Sequence, residues 1–431
     1  MAEALKVGLL GFGVVGSATG RILLDHADEL ARRAGVPIEL ARVAVRDVAK
    51  PRAQGIPPER LTDRPEDIVG DPSIDVVVEV MGGVEPALTL VLQAIENKKH
   101  VVTANKELMS TFGREVMSAA EARGVDLLFE ASVGGGIPII RPLRESLAGD
   151  RVQRVLGIVN GTTNFVLTRM SEMGESFDEA LAQATRLGYA EADPSADIDG
   201  HDAAAKIAIL ASLAFDARVV ASDVSREGIR NVTRADIGAA HQLGYEVKLL
   251  AIADIRDGQI SARVNPAMVP RTHPLASVRD VFNAVFVEGS EVGEVMFLGR
   301  GAGGGPTATA IVGDIVEIAR NVAQGAKTPG YVGFHADARI RPPDEAAARY
   351  YVVLSVADQP GVLADVAGTF ARHGVSIASV RQEGSGDEAT LMLITHTATE
   401  GSHRETFTDL AALTSVKSLD STIRVEGTQE G

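Results

Sequence analysis

The sequence contains no cysteine and no tryptophan, and its 58 acidic residues outnumber its 42 basic ones. Without cysteine, the chain cannot form disulfide bonds, bind a metal through thiolates or use a thiol nucleophile. The formal net charge of −16 argues against a nucleic-acid partner. No apolar run reaches the length of a membrane span, and the N-terminus has no signal-peptide cleavage pattern. These absences predict a soluble cytoplasmic protein with neither nucleic-acid nor membrane partners.

Length and composition set the scale of the fold. A chain of 431 residues is expected to hold two or three domains. A hydrophobic content of 45% is ample for sizeable cores, and a charged content of 23% without low-complexity runs argues against disorder.

A glycine motif near the N-terminus indicates a nucleotide site. Residues 5–10 predict a strand and residues 17–34 predict a helix. Between them, GFGVVG matches the G-x-G-x-x-G pattern of a Rossmann dinucleotide site, in which the glycines permit a tight turn and close approach to the pyrophosphate. An ordinary turn between strand and helix is the alternative. The motif consists of Gly11, Phe12, Gly13, Val14, Val15 and Gly16.

The choice between NAD and NADP depends on the end of the second predicted strand, residues 38–45. That end usually carries the residue that reads the ribose 2′ position. Arg46 suits a 2′-phosphate, hence NADP, whereas Asp47 suits a 2′-hydroxyl, hence NAD. Because Arg46 stands nearer the strand and Lys50 and Arg52 follow, we favour NADP and keep NAD open. Solvated loop charges are the alternative explanation for all four residues.

Further predicted strands place two candidate groups. Residues 75–80 and 100–103 are strand-like, and Lys106 lies three residues after the end of the second of these strands. The carboxyl ends of parallel strands form the ligand-binding edge of such a sheet, so Lys106 is a candidate active-site residue. Residues 126–130 predict a strand that ends at Glu130, before the glycines 134–136. Carbonyls of that glycine loop and the Glu130 carboxylate could hold a hard cation, although a hinge explains the glycines equally well.

Residues 188–211 combine acidic and basic groups in an unusual way. The front half is acidic, and the back half predicts a helix from about Gly200 with a cap at Asp199. Asp202 and Lys206 are four residues apart, so they share one helix face.

The other faces of this predicted helix are apolar, so Lys206 is expected to be buried, which is costly without a carboxylate partner. Asp202 is one candidate partner, and Glu191 could arrive from the preceding loop. We interpret the group as a pocket where carboxylates hold a substrate ammonium and a lysine handles a proton. A surface ion pair is the alternative.

After about residue 151 the pattern changes to α+β. Residues 152–159 predict a strand, and the polar turn at 160–165, NGTTNF, could line a pocket. Antiparallel strands are predicted at 246–252, 259–264 and 284–288. A glycine-rich loop at 299–305 precedes a predicted helix, 307–323, that could return to the nucleotide site.

Six motifs occur in the order and spacing of one enzyme family. They are GFGVVG at 11–16, TANKEL at 103–108, FEASVGGGIP at 129–138, GIVNGTTNF at 157–165, GYAEADPSADIDGHDAAAKIAIL at 188–210 and GRGAGGGPTA at 299–308. Together they resemble homoserine dehydrogenase over about residues 1–330. The resemblance implies an NAD(P)-dependent enzyme of the aspartate pathway to threonine and methionine that interconverts L-homoserine and L-aspartate 4-semialdehyde.

The resemblance also implies residue roles. Glu191 and Asp202 are expected to bind homoserine, and Lys206 is expected to transfer the proton. The cofactor is expected to contact, besides the glycine motif, Arg46, Thr103, Lys106, Gly188 and Gly303. A monovalent cation, usually sodium in this family, is expected at Glu130 and at the carbonyls of Val133, Gly135 and Ile137.

The residue chemistry is compatible with that reaction. Oxidation of a primary alcohol needs a hydride acceptor, which the nicotinamide supplies, and a group that takes the hydroxyl proton. A lysine can take the proton if burial or a second cation lowers its pKa, and we expect the convergence of Lys106 and Lys206 to do so. We assign the proton to Lys206, while the sequence leaves Lys106 open.

Rival activities differ in what they require. An acylating aldehyde dehydrogenase needs a cysteine thioester and is excluded. A reductase for another amino-acid semialdehyde and a non-catalytic amino-acid sensor remain as alternatives.

Residues 349–427 predict the order βαββαβ of a ferredoxin-like unit. The turn DQPGVL at 358–363 and the strand GVSI at 374–377 resemble ACT domains, which typically pair and bind amino acids. The resemblance implies an amino-acid effector, with threonine the expected candidate and the backbone amides at Gly361 facing its carboxylate. A purely structural dimerisation module is the alternative.

The predicted fold class is therefore α/β with three domains. They are a Rossmann NAD(P)-binding domain at 1–135, an α+β substrate-binding and dimerisation domain at 136–325, and a ferredoxin-like ACT domain at 349–427. Residues 326–348 are predicted to link the last two. A homo-oligomer, either a dimer or a tetramer, is expected.

Overall fold

The computed structural model describes residues 3–49, 56–328, 334, 336–384 and 387–427. Lys50 and Arg52, the basic neighbours expected near the ribose, lie outside the described residues, as does part of the predicted linker. Within the described part of the chain, no helix is both long enough and apolar enough to span a membrane.

The helices of the described residues are numbered α1–α13 in chain order. They are α1 Val14–Asp25, α2 Ala27–Ala34, α3 Glu66–Val69, α4 Ala87–Glu96, α5 Lys106–Arg123, α6 Gly161–Met173, α7 Phe177–Arg186, α8 Ser195–Ile198, α9 His201–Ala214, α10 Arg234–Gln242, α11 Gly304–Gln324, α12 Val362–Arg372 and α13 Glu400–Ala412.

The strands are numbered β1–β18 in the same way. They are β1 Leu5–Leu10, β2 Ile38–Ala44, β3 Leu61–Thr62, β4 Val76–Glu79, β5 His100–Thr103, β6 Leu127–Leu128, β7 Val152–Ile158, β8 Ser225–Arg226, β9 Tyr245–Arg256, β10 Gln259–Pro270, β11 Phe282–Gly289, β12 Gly293–Arg300, β13 Ala347–Ala348, β14 Tyr350–Ala357, β15 Ile377–Gly384, β16 Glu388–Thr395, β17 Ala398–Thr399 and β18 Val416–Val425.

The first sheet consists of parallel strands in the order β3-β2-β1-β4-β5-β6. β4 is buried along its whole length, as expected for a sheet covered by helices on both faces. The strand order reverses direction between β1 and β4, and open sheets of this kind bind ligands in the crevice at that point. The predicted Rossmann fold is confirmed.

The long helix α11 follows the second sheet in sequence but packs against α1 and α2. Gly304 at its start lies so close to the start of α1 that a Cβ there would be 3.1 Å from the carbonyl oxygen of Val14. The glycine-rich loop before α11 therefore brings the chain back to the nucleotide-binding sheet.

The second sheet runs in the order β12-β11-β7-β9-β10-β18-β14-β16-β15. Its longest ladder joins β9 and β10 along all twelve residues of each strand. Helices α6, α9 and α10 pack against β9. α9 also contacts α5 of the first domain, so this Ala- and Ile-rich helix is enclosed between the two domains. Polar side chains beyond the first turn of α9, Lys206 and Ser212, are therefore buried.

The C-terminal domain has the order β14-α12-β15-β16-α13-β18, which confirms the predicted ferredoxin-like arrangement. Its last strand also pairs in parallel with β10, where Ala267 faces Arg424. Beyond that strand, Glu426 forms an ion pair with Arg263 of β10 at 2.8 Å. The C-terminal domain and the central domain therefore share one continuous sheet.

Several local predictions are wrong. The helix predicted at 17–34 is two helices, because His26 has a non-helical backbone (φ −112°) between α1 and α2. The last predicted strand of the first sheet ends at Leu128, and Glu130 lies in a 3₁₀ turn. Asp199 does not cap α9, because Gly200 occupies that position with a left-handed backbone (φ 81°). Strand β12, Gly293–Arg300, was not predicted, because its end overlaps the glycine-rich loop at 299–305.

Candidate active site

A cavity of about 320 Å³ opens at the carboxyl ends of β4 and β5. Val15 of the glycine motif lines one part of it, and Lys106, Asp202 and Lys206 line another. The nucleotide-binding turn and the charged residues of α9 therefore face a common space, even though they come from different domains.

The glycine motif has the geometry of a phosphate-binding turn. Gly11 has a φ of 104°, which other residues rarely adopt. A Cβ on Gly16 would lie 2.2 Å from the Gly11 oxygen, so only glycine fits there. A Cβ on Gly13, the residue before α1, would meet no atom within 4 Å. This open space at a helix N-terminus suits a dinucleotide pyrophosphate.

Arg46 follows β2 at the same edge of the sheet. It is exposed, and within the described residues it forms no hydrogen bond or ion pair. The carboxylate of Asp47 accepts a hydrogen bond from the backbone N–H of Ala49 at 2.9 Å. The guanidinium of Arg46 is therefore more available to a ligand than the carboxylate of Asp47.

Lys206 is 9% exposed, as the apolar faces of α9 led us to expect. Its Nζ donates to Oδ2 of Asp202 at 2.7 Å and to the backbone oxygen of Val159 at 2.8 Å. The pair is buried, so the alternative of a surface ion pair is wrong. An ammonium has three donors, and these two bonds leave one for another acceptor.

Lys106 reaches the same carboxylate from the first domain. Asn105 caps α5 by accepting from the backbone N–H of Leu108 at 3.1 Å, which fixes the start of the helix. From that position, Nζ of Lys106 lies 3.3 Å from Oδ1 of Asp202. One carboxylate thus bridges two lysines, with one oxygen facing each.

Lys106, Asp202 and Lys206 form a charged trio whose members shift one another's proton affinities. Burial raises the pKa of Asp202, but Lys206 and Lys106 outweigh burial and hold the pKa below its usual value. Burial lowers the pKa of Lys106, but Asp202 outweighs it and the pKa is raised. Our prediction that the convergence of the lysines lowers the pKa is therefore wrong for Lys106, because the carboxylate lies between the two cations.

Asn160 connects this trio to a second carboxylate, a role that sequence reasoning missed. Its Nδ2 donates to Oδ2 of Asp202 at 2.9 Å and to Oδ1 of Asp197 at 2.7 Å. Burial raises the pKa of Asp197, with Asn160 opposing and Asp202 adding to the rise. The polar turn at 160–165 was the only sequence signal for this contact. Asn160 also caps α6.

Thr103 forms a separate network at the end of β5. Its hydroxyl donates to the buried carboxylate of Glu79 at 2.6 Å and accepts from the backbone N–H of Asn105 at 3.0 Å. Glu79 also accepts from the backbone N–H of Met81 at 2.7 Å. These bonds fix the two strand ends beside the cavity and so position Lys106.

Glu191, Gly188 and Gly303 are not part of the hydrogen-bond and ion-pair network of the trio. Glu191 is exposed, and nothing in the described chain joins it to Asp202 or Lys206 by a hydrogen bond or ion pair. Gly188 is also exposed, with a φ of 75°, and does not line the cavity. Gly303 precedes α11 with a φ of 117°, next to Gly301 and Ala302 of the cavity wall.

Glu130 directs its carboxylate at backbone amides. Its oxygens accept from the N–H groups of Ile139, Ile140 and Arg141 at 2.6–2.8 Å. Among the described residues, no group of three or more His, Asp or Glu side chains is arranged to hold a metal ion.

The glycine loop after Glu130 offers a different kind of ligand. Val133 and Ile137 are 0% and 1% exposed. In the described chain, no hydrogen bond reaches their backbone oxygens or that of Gly135. Buried carbonyls without donors are the oxygen ligands that a hard cation prefers, so this loop fits a cation better than the Glu130 carboxylate does.

Three family models match the chain in succession. The model for the homoserine dehydrogenase NAD-binding domain matches residues 11–130, that for homoserine dehydrogenase matches 138–316, and that for the ACT domain matches 350–413.

Individual proteins match over nearly the whole chain. The homoserine dehydrogenase of Mycobacterium tuberculosis is 51% identical over 437 residues, covering 99% of this chain and 98% of that protein. A homoserine dehydrogenase structure from Thiobacillus denitrificans has a TM-score of 0.93 at 42% identity and covers 98% of both chains. A hyperthermophilic archaeal homoserine dehydrogenase in complex with NADPH has a TM-score of 0.64 at 29% identity, covering 76% of this chain and all of that one.

Proposed function

Because the chain belongs to the homoserine dehydrogenase family and is an NAD(P)-dependent oxidoreductase, we propose that Lys206 transfers the proton in its reaction. The observation that carries this role is the carboxylate of Asp202 shared between two lysines beside the nucleotide-binding turn. Bound NAD(P) supplies the acceptor or donor of the hydride. The residues described below hold the substrate and move the proton.

Lys206 has the donor that the reaction needs. Two of its three N–H groups are used by Asp202 and Val159, and the third is left for the substrate oxygen. In the reducing direction, the ammonium gives its proton to the aldehyde oxygen as hydride reaches the adjacent carbon. In the oxidising direction, the amine takes the hydroxyl proton. Asp202 stabilises the ammonium in either direction.

The substrate ammonium is assigned to carboxylates. Glu191 is exposed and has no partner within the described residues, so it can approach a ligand without breaking an existing bond. Asp202 already faces two cations, so it acts mainly by orienting them. Lys106, 3.3 Å from that carboxylate, is placed beside both substrate and cofactor.

We propose NADP as the preferred cofactor. Arg46 is exposed and unpaired in the described chain, and a guanidinium binds a phosphate by paired hydrogen bonds. The archaeal homoserine dehydrogenase in complex with NADPH supports the same choice. Arg46→Ala should raise the KM for NADP about tenfold or more and change that for NAD little. Equal effects on both cofactors would contradict the assignment.

We also propose a monovalent cation, expected to be sodium, at the carbonyls of Val133, Gly135 and Ile137. The support is the burial of these carbonyls and the lack of donors to them in the described residues. The Glu130 carboxylate would hold the loop in place through its three amide bonds. Replacing sodium with a bulky organic cation in the buffer should lower the melting temperature of the protein.

The ACT domain is proposed to bind threonine as a feedback effector. Gly361 precedes α12 with a φ of 98°, which turns the backbone at the start of that helix. A helix N-terminus preceded by such a turn suits an effector carboxylate. Domains of this type typically pair, so we expect a homo-oligomer, and light scattering should give a mass above that of one chain.

One assay tests the reaction. Purified protein is mixed with L-homoserine and NADP or NAD, with and without L-threonine, and the reduced nicotinamide absorbance is followed. Growth of the band with homoserine supports the function, and suppression by threonine supports the effector. No growth with either cofactor would refute the proposed reaction, whereas growth that threonine leaves unchanged would refute only the effector.

A further inference from the structure

One buried carboxylate of the catalytic cavity has no cationic partner. Glu79 ends β4, lines the cavity and is 0% exposed. Its oxygens accept from the Thr103 hydroxyl at 2.6 Å and from the backbone N–H groups of Met81 and Gly82 at 2.7 and 3.3 Å. Within the described residues, no lysine, arginine or histidine forms an ion pair with it. A side chain that accepts three hydrogen bonds and donates none is an ionised carboxylate, so a negative charge is held here.

The other charged residues that line this cavity are those of the trio. In the described chain they are Lys106, Asp202 and Lys206. With both lysines protonated, two positive charges flank one negative charge, which leaves the trio with a net charge of +1. Glu79 adds one negative charge and brings the lining to zero. Without Glu79, the cavity would therefore disfavour a cationic ligand.

The same cavity is where a bound nicotinamide ring has to lie. Val15 of the glycine motif lines one part of it, and the two lysines line another. A cofactor with its pyrophosphate on the glycine motif reaches a substrate beside the lysines only through this space. The oxidised ring carries a positive charge and the reduced ring is neutral, so the two forms respond differently to the charge of the lining. Because Glu79 is fully buried, it acts on the ring through its charge and not by contact.

We propose that Glu79 sets the relative affinity of the protein for the oxidised and the reduced cofactor, by offsetting the net positive charge of the trio. Two unit charges about 10 Å apart at an effective dielectric constant of about 20 already change a binding constant roughly tenfold. The charge favours the oxidised form and so promotes reduction of the aldehyde. In that step the aldehyde gains the hydride and a proton and becomes the alcohol, while the nicotinamide is oxidised.

This role rests on dinucleotide binding by the family fold. It depends neither on proton transfer by Lys206 nor on the choice of NADP over NAD. The phosphates are common to the oxidised and the reduced forms, so their interactions with Glu79 cancel in the ratio of the two Kd values. The ratio therefore reports the effect of the Glu79 charge on the ring alone.

Glu79→Gln removes the charge and retains the shape of the side chain. The amide oxygen can accept from Met81 and Gly82, and the amide nitrogen can donate to the Thr103 hydroxyl. Calorimetric titration of the full-length protein with NADP⁺ and with NADPH, without substrate, gives the two Kd values. The ratio of the Kd for NADP⁺ to that for NADPH should rise about tenfold. A tenfold rise corresponds to an increase of about 30 mV in the reduction potential of the bound two-electron couple.

Two control variants separate charge from structure. Glu79→Asp keeps the charge but shortens the side chain, and Glu115→Gln removes an exposed carboxylate from α5. Both should leave the ratio within about twofold of the wild-type value, and the melting temperatures should show that all three variants are folded.

Equal weakening of both cofactor forms in Glu79→Gln would overturn the proposal, because it would make Glu79 a structural residue only. A rise of the ratio in Glu79→Asp as large as that in Glu79→Gln would also overturn it, since the position of the side chain and not its charge would then be responsible. The measurement needs no turnover. The expected ratios in a protein that does not oxidise homoserine would support the role of Glu79 and refute the proposed reaction.

Discussion

Replacement of Lys206 by methionine is the most direct test of the assigned proton transfer. Methionine keeps the length of the side chain and removes the donor that faces the substrate oxygen. General acid–base groups contribute about 10²- to 10⁴-fold, so kcat should fall by that factor. This corresponds to about 3–5 kcal/mol of activation free energy. The Kd for NADP should stay within about twofold, because Lys206 lies on α9 and not on the glycine motif.

The structure limits how much stability the same variant can lose. Removing one partner of a buried ion pair costs about 3–5 kcal/mol when the other charge is left alone. Asp202 is not left alone, because Lys106 at 3.3 Å and Asn160 at 2.9 Å still contact it. The loss of unfolding free energy should therefore lie below that range, and the melting temperature should confirm a folded protein.

Lys99→Met is the matched control for this experiment. Lys99 is also a buried lysine, 2% exposed, and it donates to the backbone oxygen of Ile74 at 2.8 Å at the opposite edge of the sheet. Its replacement should lower the melting temperature and leave kcat within a few-fold. A kcat that falls equally in both variants would refute the reasoning, and so would a Lys206→Met enzyme with kcat near that of the wild type.

Four further variants test other parts of the structure. Gly16→Ala places a Cβ 2.2 Å from a backbone oxygen of the same turn and should lower both the melting temperature and the affinity for NADP. The Cβ of Gly13→Ala meets no atom within 4 Å, so this variant should lower the affinity alone. Equal melting temperatures for the two variants would contradict this reasoning. Asn160→Asp keeps a residue that can cap α6 but cannot donate to the two carboxylates. The kcat should therefore fall about 10- to 100-fold with little loss of helix. A fall in kcat of only about twofold would contradict the role of Asn160. Burial opposes ionisation of Glu426, but its ion pairs with two arginines hold its pKa at about 2, below the ordinary 4.5. The stability they provide is present above about pH 4.5 and is lost as the pH falls towards 2, so the difference in unfolding free energy between wild type and Glu426→Gln should shrink across that window.

Sequence periodicity was sufficient to predict those features of the site whose geometry is local. The spacing of Asp202 and Lys206 fixes their shared helix face, and the apolar neighbours on α9 account for the burial of both. The strand-end rule likewise placed Lys106 beside the nucleotide site, because parallel strands align their carboxyl ends. The βαββαβ order followed from alternating patterns and turn residues alone.

The remaining features depend on contacts between distant segments. Asn160 meets Asp197 and Asp202 only because α8 packs against both α6 and α9, and no spacing in the chain encodes that meeting. The raised pKa of Lys106 has the same origin, since the carboxylate that outweighs its burial comes from another domain. Glu130 shows the reverse case, in which amides nine to eleven residues later satisfy a side chain that looked free to bind a metal.

The pairing of β18 with β10 has a consequence for how this chain can be divided. A protein truncated before residue 349 would lose the strand that covers β10, and backbone groups at Ala267 and Met268 would face solvent as an open sheet edge. Arg263, buried in the central domain, would lose Glu426, one of its two carboxylate partners, and would keep only Asp254. Open edges recruit other chains, so such a fragment would be prone to aggregate and would not behave as an unregulated enzyme. The C-terminal domain thus completes the sheet of the central domain, and its removal should lower the solubility of the remaining fragment.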